Sequence, residues 1–393
     1  MTTVFIPKET LDGETRVAAT PETVKRMIKL GLEVKVEAGA GFLSKIPDEE
    51  FTAAGATVCE GTAEAWGAAD VVLKVQAPQD HPGLGKHEVE LLKQGALLIS
   101  FVWSVTAPEL AQKLQQQGAS VIAMEAVPRI SRAQKMDALS SQANLAGYKA
   151  VLMGANALSR IMPMMVTAAG TLKPAKVVVM GAGVAGLQAI ATAKRLGAVV
   201  EATDIRPAVK EQVESLGGKF IDVPQFEGAE DAGGYAKALT PEQLKKQQEV
   251  VEQHLIAADM VVTTALVPGR KAPVLVPAHV VEKMRPGSVI VDLAVQQGGN
   301  CELSEPGQTV TKHDVVLIGE LNVPGLLPFD ASAVYARNVL ALVTDVMDKE
   351  KKGEGVVKLD FSDEVIDKSL IIHGGEIRHA PTKDAVAKLQ PAS

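Results

Sequence analysis

The run VVVMGAGVAGLQAIATAKRLGAVVEATDIR, residues 177–206, constrains the fold more than any other stretch of the chain. A β-branched apolar segment leads into Gly181, Gly183 and Gly186 in GxGxxG spacing. A helix-spaced segment follows, and a second apolar run ends at Asp204, 18 residues past Gly186. Each position has a physical reason. Gly181 permits the tight turn, Gly183 lets the backbone approach a pyrophosphate, and Gly186 lets helix and strand pack closely. The phosphates then face the positive helix terminus. Asp204 is placed to accept hydrogen bonds from the adenine ribose hydroxyls and to repel a 2′-phosphate, so NAD (NADH) is expected rather than NADP, while Arg206 leaves room for NADP. Ala182, Val184, Ile205 and Arg206 belong to the same expected cradle.

This unit opens a series of strands, KVVVMGAG, VVEATD, DMVVTTAL, SVIVDLAV and VVLIGEL, separated by helix-spaced segments. The strand-end runs TTALVPG, with Thr264, Ala265 and Leu266, and VDLAVQQGGN read either as components of the cofactor cleft or as ordinary strand-end turns. An earlier series, TVFIP, EVKVE, VVLKV, ALLISFV and SVIAME, alternates with amphipathic helices that stop at Gly31 and Gly118. Such alternation implies parallel, doubly wound sheets. The expected fold is α/β, with two Rossmann-like parallel-sheet domains and an NAD cleft between them. The first covers residues 1–137, completed by 330–393; the second covers 138–329.

A chain of 393 residues suits two domains. With 3% aromatic residues and a net charge of −7, it lacks the stacking surfaces and the basic stripe of a nucleic-acid partner. Cys59 and Cys301 are far apart and lack metal-type spacing, so free thiols and no metal are expected. The N-terminus MTTVFIPKET lacks the pattern of a signal peptide. The segment GYKAVLMGANALSRIMPMMVTAAG is long enough to span a membrane, but Lys149, Asn156, Arg160 and Pro163 interrupt it; a buried helix linking the domains is expected instead. Residues 222–243 are acidic, glycine-containing and aperiodic, which reads as a lid, or as a tolerated surface insertion, with its mobile stretch at 225–240.

An enzyme that oxidises an alcohol or amine moves a proton as well as a hydride and needs a general base. None of the seven histidines lies between residues 88 and 253 or follows a strand end in the expected cleft. IPKETLDGETRVAATPE with Arg16, ADVVLKVQAP with Lys74, PRISRAQKMDALSSQANLAGY, the glycine unit and DLAVQQGGN together resemble the alanine dehydrogenase and pyridine nucleotide transhydrogenase family across nearly the whole chain. The resemblance implies that Arg16 and Lys74 match residues that bind the dehydrogenases' substrate. Trp103 stands near those enzymes' catalytic histidine, just before a helix starting near Ala107, and Gln296 stands where they carry an aspartate.

The 128–148 stretch resembles the signature loop of the NAD(H)-binding component of proton-translocating transhydrogenase, and EDAGGYAKAL resembles its mobile loop. That resemblance implies an oxidoreductase subunit that passes hydride from NADH to NADP, Re/Si-specifically. Arg129, Asp137 and Ser140, with Ile130 beside them, would fix the nicotinamide, its carboxamide and its ribose. Gln134 would reach toward the second nucleotide. Tyr235 would act as a lid, and Gly234, Gln247 and Leu266 would touch nucleotide. It further implies a homodimer, an NADP(H)-binding partner component and a separate membrane-spanning subunit that carries the proton. The chain would be cytoplasmic, peripheral to the inner (plasma) membrane through those partners, with no direct membrane insertion. Two competing readings predict different behaviour. An alanine-dehydrogenase-type enzyme would oxidise NADH with a 2-oxo acid; a non-catalytic NAD sensor would bind NADH without turnover.

Overall fold

A computed structural model describes residues 2–223, 241–266 and 271–389. The chain divides into two compact units: residues 1–142 with 324–393, and residues 143–323.

In the first unit, eight strands form one sheet. Edge to edge they are Glu376–Ile377, Leu370–His373, Ser120–Ala123, Leu97–Ser100, Val71–Leu73, Thr3–Ile6, Glu33–Glu37 and Thr57–Cys59. The last six are mutually parallel. Alternate side chains enter opposite cores: Val4 and Ile6 join one cluster and Phe5 the other, as Val71 and Leu73 oppose Val72. That two-sided burial explains why these strands read as continuous apolar runs. Phe5 meets Trp66 edge to face at 5.6 Å, and both are fully buried. Burying each such side chain stabilises the unit by about 1.5–3 kcal/mol. The Pro21–Lys29 helix starts on Thr20, whose side chain forms a capping box with Thr23.

The second unit repeats the plan in Lys219–Phe220, Val199–Thr203, Lys176–Met180, Met260–Thr263, Val289–Asp292 and Val315–Ile318, all parallel. Val177 and Val179 point into one core and Val178 and Met180 into the other. In both units the strand order reverses beside the first strand, between Thr3–Ile6 and Val71–Leu73 in one and between Lys176–Met180 and Met260–Thr263 in the other. Ligands of doubly wound folds bind at such reversals.

Three features differ from the sequence expectation. Both sheets end in antiparallel strands, Leu370–His373 with Glu376–Ile377 in one and Thr309–Lys312 in the other. A short parallel strand, Thr57–Cys59, had no sequence signal of its own. The apolar segment at 147–170 is not one buried helix. Its helix is Ala138–Ala157, the division between units falls within it, and Met165–Thr167 pairs with Gly170–Leu172 in a fully exposed hairpin. Pro163 cannot continue a helix. The Thr167 hydroxyl then closes the turn, accepting from Ala169 N–H and donating to Gly170 O.

Candidate functional site

Gly181 ends the Lys176–Met180 strand with φ +96°, a conformation L side chains rarely adopt. A Cβ there would sit 2.6 Å from Thr264 Oγ1, and one on Gly186 would overlap the Gly181 carbonyl. Gly183 faces open space. Gly183 is also the N-cap of the Val184–Arg195 helix and offers no side-chain cap. The first N–H groups of a twelve-residue helix therefore meet that space with their partial positive charge. An anionic group fits this cradle, and the glycines leave room for it to approach the backbone.

Asp204 closes the turn from the neighbouring strand, accepting from Ala182 N–H at 2.7 Å. Burial pushes its carboxyl up, but the Arg206 side chain and the N–H groups of Arg206 and Ala182 outweigh this and hold it below the usual carboxylate range. Ile205 beside it is 98% exposed, an apolar face at the rim. On the other flank the Thr264 hydroxyl donates to Gly181 O at 3.0 Å. Ala265 N–H donates to Asn300 Oδ1 at 3.0 Å, and the Asn300 amide donates to Ala265 O and Pro273 O. Buried Asp292 accepts from Thr263 Oγ1 and from Asn300 and Cys301 N–H, which fixes Asn300 in turn. Ala265 is half-buried and Leu266 exposed. Thus Gly181, Ala182, Gly183, Val184, Gly186, Asp204, Thr264 and Ala265 are brought together around one strand reversal, with Ile205, Arg206 and Leu266 at its edge. Gln247 is half-buried on the Pro241–Ile256 helix. Gly234 and Tyr235 lie outside the described residues, as does the whole 225–240 segment.

In the first unit, Ser131–Met136 is a 3-10 turn running into the Ala138–Ala157 helix. Asp137 caps that helix: Ser140 donates its N–H to Oδ1 at 2.9 Å and its hydroxyl to Oδ2 at 2.6 Å. Three ties hold the segment to the Pro328–Asp345 helix. Asn338 donates to Lys135 O and accepts from Ser141 Oγ, Gln142 donates to Ala331 O, and Arg132 pairs with Asp345 and with Asp363 beyond that helix. Arg129 and Gln134 are exposed, Ile130 half-buried. Among the described residues, neither the Arg129 guanidinium nor the Gln134 amide has a partner, so a fixed loop presents two free polar groups.

Lys74 and Arg16 are consumed instead. Lys74 Nζ, 1% exposed, lies 3.0 Å from Glu9 and 3.3 Å from Glu88. Arg16 is forked onto Glu14 at 2.8 and 2.6 Å, with its remaining arm on Gln142. Glu9 is pushed up by burial, against the pull of Lys74; burial also opposes the charge on Lys74, yet Glu9 and Glu88 raise it overall. Trp103 adopts φ +55° and stacks on Phe101 at 5.3 Å, its N–H donated to Glu125 at 2.5 Å. Gln296 is exposed. The histidines have local partners: His254 on Glu201, His279 on Glu252, His313 near Glu282, His373 on Ser120, His379 on Thr382, and His81 and His87 on nearby backbone N–H groups. Among the described residues no cluster is arranged to hold a metal, and no helix is long and apolar enough to cross a membrane.

Asp292 and Asn300 fall in the strand-end run VDLAVQQGGN, but nothing in the sequence singled them out as its supports. Asn338 and Glu125 escaped the sequence reading altogether, because each is a single polar residue whose partners are remote in sequence.

Two doubly wound units, one with a glycine turn and an acidic strand end, define a dinucleotide-fold protein of the α/β class. The chain matches the alanine dehydrogenase/PNT N-terminal domain over residues 5–146 and the alanine dehydrogenase/PNT C-terminal domain over residues 150–380. It belongs to that family. It is 52% identical over 378 residues to an NAD(P) transhydrogenase subunit alpha chain of Rhodospirillum rubrum, covering 96% of this chain and 97% of that one. A crystal structure of transhydrogenase from Sinorhizobium meliloti superposes with a TM-score of 0.85 at 46% identity, covering 95% of this chain and 99% of the other. Alanine dehydrogenase of Mycolicibacterium smegmatis is 31% identical over 392 residues, covering 98% of this chain and 96% of that one.

Proposed function

We propose that this chain is the NAD(H)-binding subunit of a proton-translocating, Re/Si-specific transhydrogenase. It gives hydride from NADH to NADP+ held on a partner component, while a separate membrane-spanning subunit carries the proton. The observation that carries this reading is a contrast within one unit. Among the described residues Arg129 and Gln134 are exposed and unpaired, on a loop anchored to the Pro328–Asp345 helix, whereas Arg16 and Lys74, which a 2-oxo acid would need, are saturated by Glu14, Glu9 and Glu88.

Bound NADH supplies the hydride from C4 of its nicotinamide. The chain holds and orients it. The Gly181–Gly186 turn and the start of the Val184–Arg195 helix receive the pyrophosphate, with Val184 contributing its N–H while Ala182, whose N–H is held by Asp204, keeps the turn closed beside it. Asp204 receives the adenine ribose, and Ile205, Arg206, Thr264, Ala265 and Leu266 line the approach. Arg129, Asp137 and Ser140 fix the nicotinamide, its carboxamide and its ribose, with Ile130 packed beside them. Gln134 reaches toward the second nucleotide, and Gly234, Tyr235 and Gln247 complete the nucleotide contacts. Hydride exchange between two nicotinamides changes no heteroatom's protonation. The residues therefore have to set a reacting distance of roughly 3–3.5 Å and exclude water, and no general base is required. The locally engaged histidines agree with this.

The subunit sits at the cytoplasmic face, peripheral to the inner membrane through its partners. A homodimer is supported by the exposed hairpin, whose Met165, Val166 and Leu172 offer apolar surface to a second copy. Stopped-flow mixing of NADH on this chain with NADP+ on a separately prepared NADP(H)-binding component tests the reading. Rapid transfer that needs both proteins is expected. NADH oxidation by this chain alone on adding pyruvate and ammonium would return it to the amino-acid dehydrogenases.

A further inference from the structure

The acceptor count at Asp204 is the starting point. A carboxylate offers about four lone-pair positions. Two are taken by backbone: Ala182 N–H on Oδ2 at 2.7 Å and Arg206 N–H on Oδ1 at 2.9 Å. The other two are taken by one guanidinium, with Arg206 Nε on Oδ1 at 2.9 Å and Nη2 on Oδ2 at 3.0 Å. The carboxylate is therefore full. The backbone donors belong to the glycine turn and to the loop after the strand and cannot leave without unmaking them. The guanidinium can leave: Asp204 is 7% exposed, but the Arg206 side chain is 58% exposed and bridges only two residues along the chain.

A vicinal diol recognised by a carboxylate donates two parallel hydrogen bonds, one to each oxygen. The Arg206 fork supplies the same two bonds. We propose that Arg206 is an internal occupant of the ribose-diol subsite, holding in the free protein the two acceptor positions on Asp204 that a dinucleotide's adenine ribose requires. The ribose binds by displacing the fork, so apparent affinity for NADH lies below what the bare carboxylate would give. The displaced guanidinium stays within a side-chain length of the ribose 2′ position. It therefore also softens the discrimination against a 2′-phosphate that Asp204 alone would enforce. This inference rests on the dinucleotide reading above and sharpens it, because Arg206 becomes a determinant of both affinity and NAD/NADP selectivity.

The test is equilibrium binding of NADH and NADPH to the full chain and to Arg206→Ala, followed by displacement of NADH with ADP and with 2′-deoxy-ADP. Removal of an exposed, forked ion pair should tighten NADH about two- to fivefold. NADPH should bind no better or more weakly. The gain should appear for ADP and vanish for 2′-deoxy-ADP, which lacks the diol; a general change in surface charge would shift both alike. Weaker or unchanged NADH binding in Arg206→Ala, or an equal gain for both ADP probes, overturns the inference and leaves the dinucleotide reading standing. A wild-type chain that does not bind NADH overturns both.

Discussion

At the strand reversal of the 143–323 unit stand Gly181, Gly183, Gly186 and Thr264, and the polar groups that face outward are backbone N–H donors. At the matching reversal of the other unit stand Glu9, Glu14, Arg16, Lys74 and Glu88, all buried and all bonded to one another or to adjacent backbone. The parallel strand order is the same in both. What differs is whether the crevice's hydrogen-bonding capacity is spent inside the protein or left for a ligand. Topology thus supplies a crevice, and side-chain chemistry decides whether it becomes a binding site or an internal brace.

Substitutions that strike each reversal should separate the two roles. The largest effect is expected for Lys74→Ala, which strands Glu9 and Glu88 in a buried setting. Loss of one partner from such a cluster costs about 3–5 kcal/mol, read as a lower urea midpoint. An unchanged midpoint would mean that the cluster braces nothing. Asp204→Ala comes next: removing a charge-assisted acceptor worth about 1.5–3 kcal/mol should weaken NADH binding at least tenfold while the urea midpoint moves little. Equal affinity for wild type and variant would remove Asp204 from the site.

Gln134→Ala is smaller and of another kind. NADH affinity should stay near normal, while single-turnover transfer to the partner's NADP+ slows about fivefold, the loss of about 1 kcal/mol. Normal transfer would cancel the role given to that residue. The smallest effect is in acid. The Asp204 carboxyl is held below its usual range, so its contribution is present above the unfolded value of about 3.9 and is lost as pH falls through the folded value. Asp204→Asn should flatten that limb of the stability–pH curve; an unaltered limb would show that the pairing adds no stability.

The glycine turn could be read from sequence because its requirements are local: a strand end, a left-handed glycine, a helix start and an acid one strand away all fall within thirty residues. The doubly wound plan was equally legible, since strands buried on both faces carry continuous β-branched runs. The brace was not. Arg16 and Lys74 looked like remnants of a substrate pocket, and only the structure shows Glu14, Glu9 and Glu88 occupying them. The hairpin at Met165–Leu172 was hidden for a different reason, because a run rich in Met, Val and Ala suits helix and strand alike until Pro163 and the Thr167 turn decide it. Strands such as Leu370–His373 depend on a partner some 250 residues away and leave little local trace.

That last pairing bears on how the polypeptide is made. The 143–323 unit is continuous and has all of its sheet once residue 318 has left the ribosome. The other unit begins first but ends last. Its Ser120–Ala123 strand remains an open edge, and the Ser131–Met136 turn lacks the helix that anchors it, until the final seventy residues emerge. The segment made first is therefore finished last, and its exposed edge has to be kept from pairing elsewhere throughout most of synthesis.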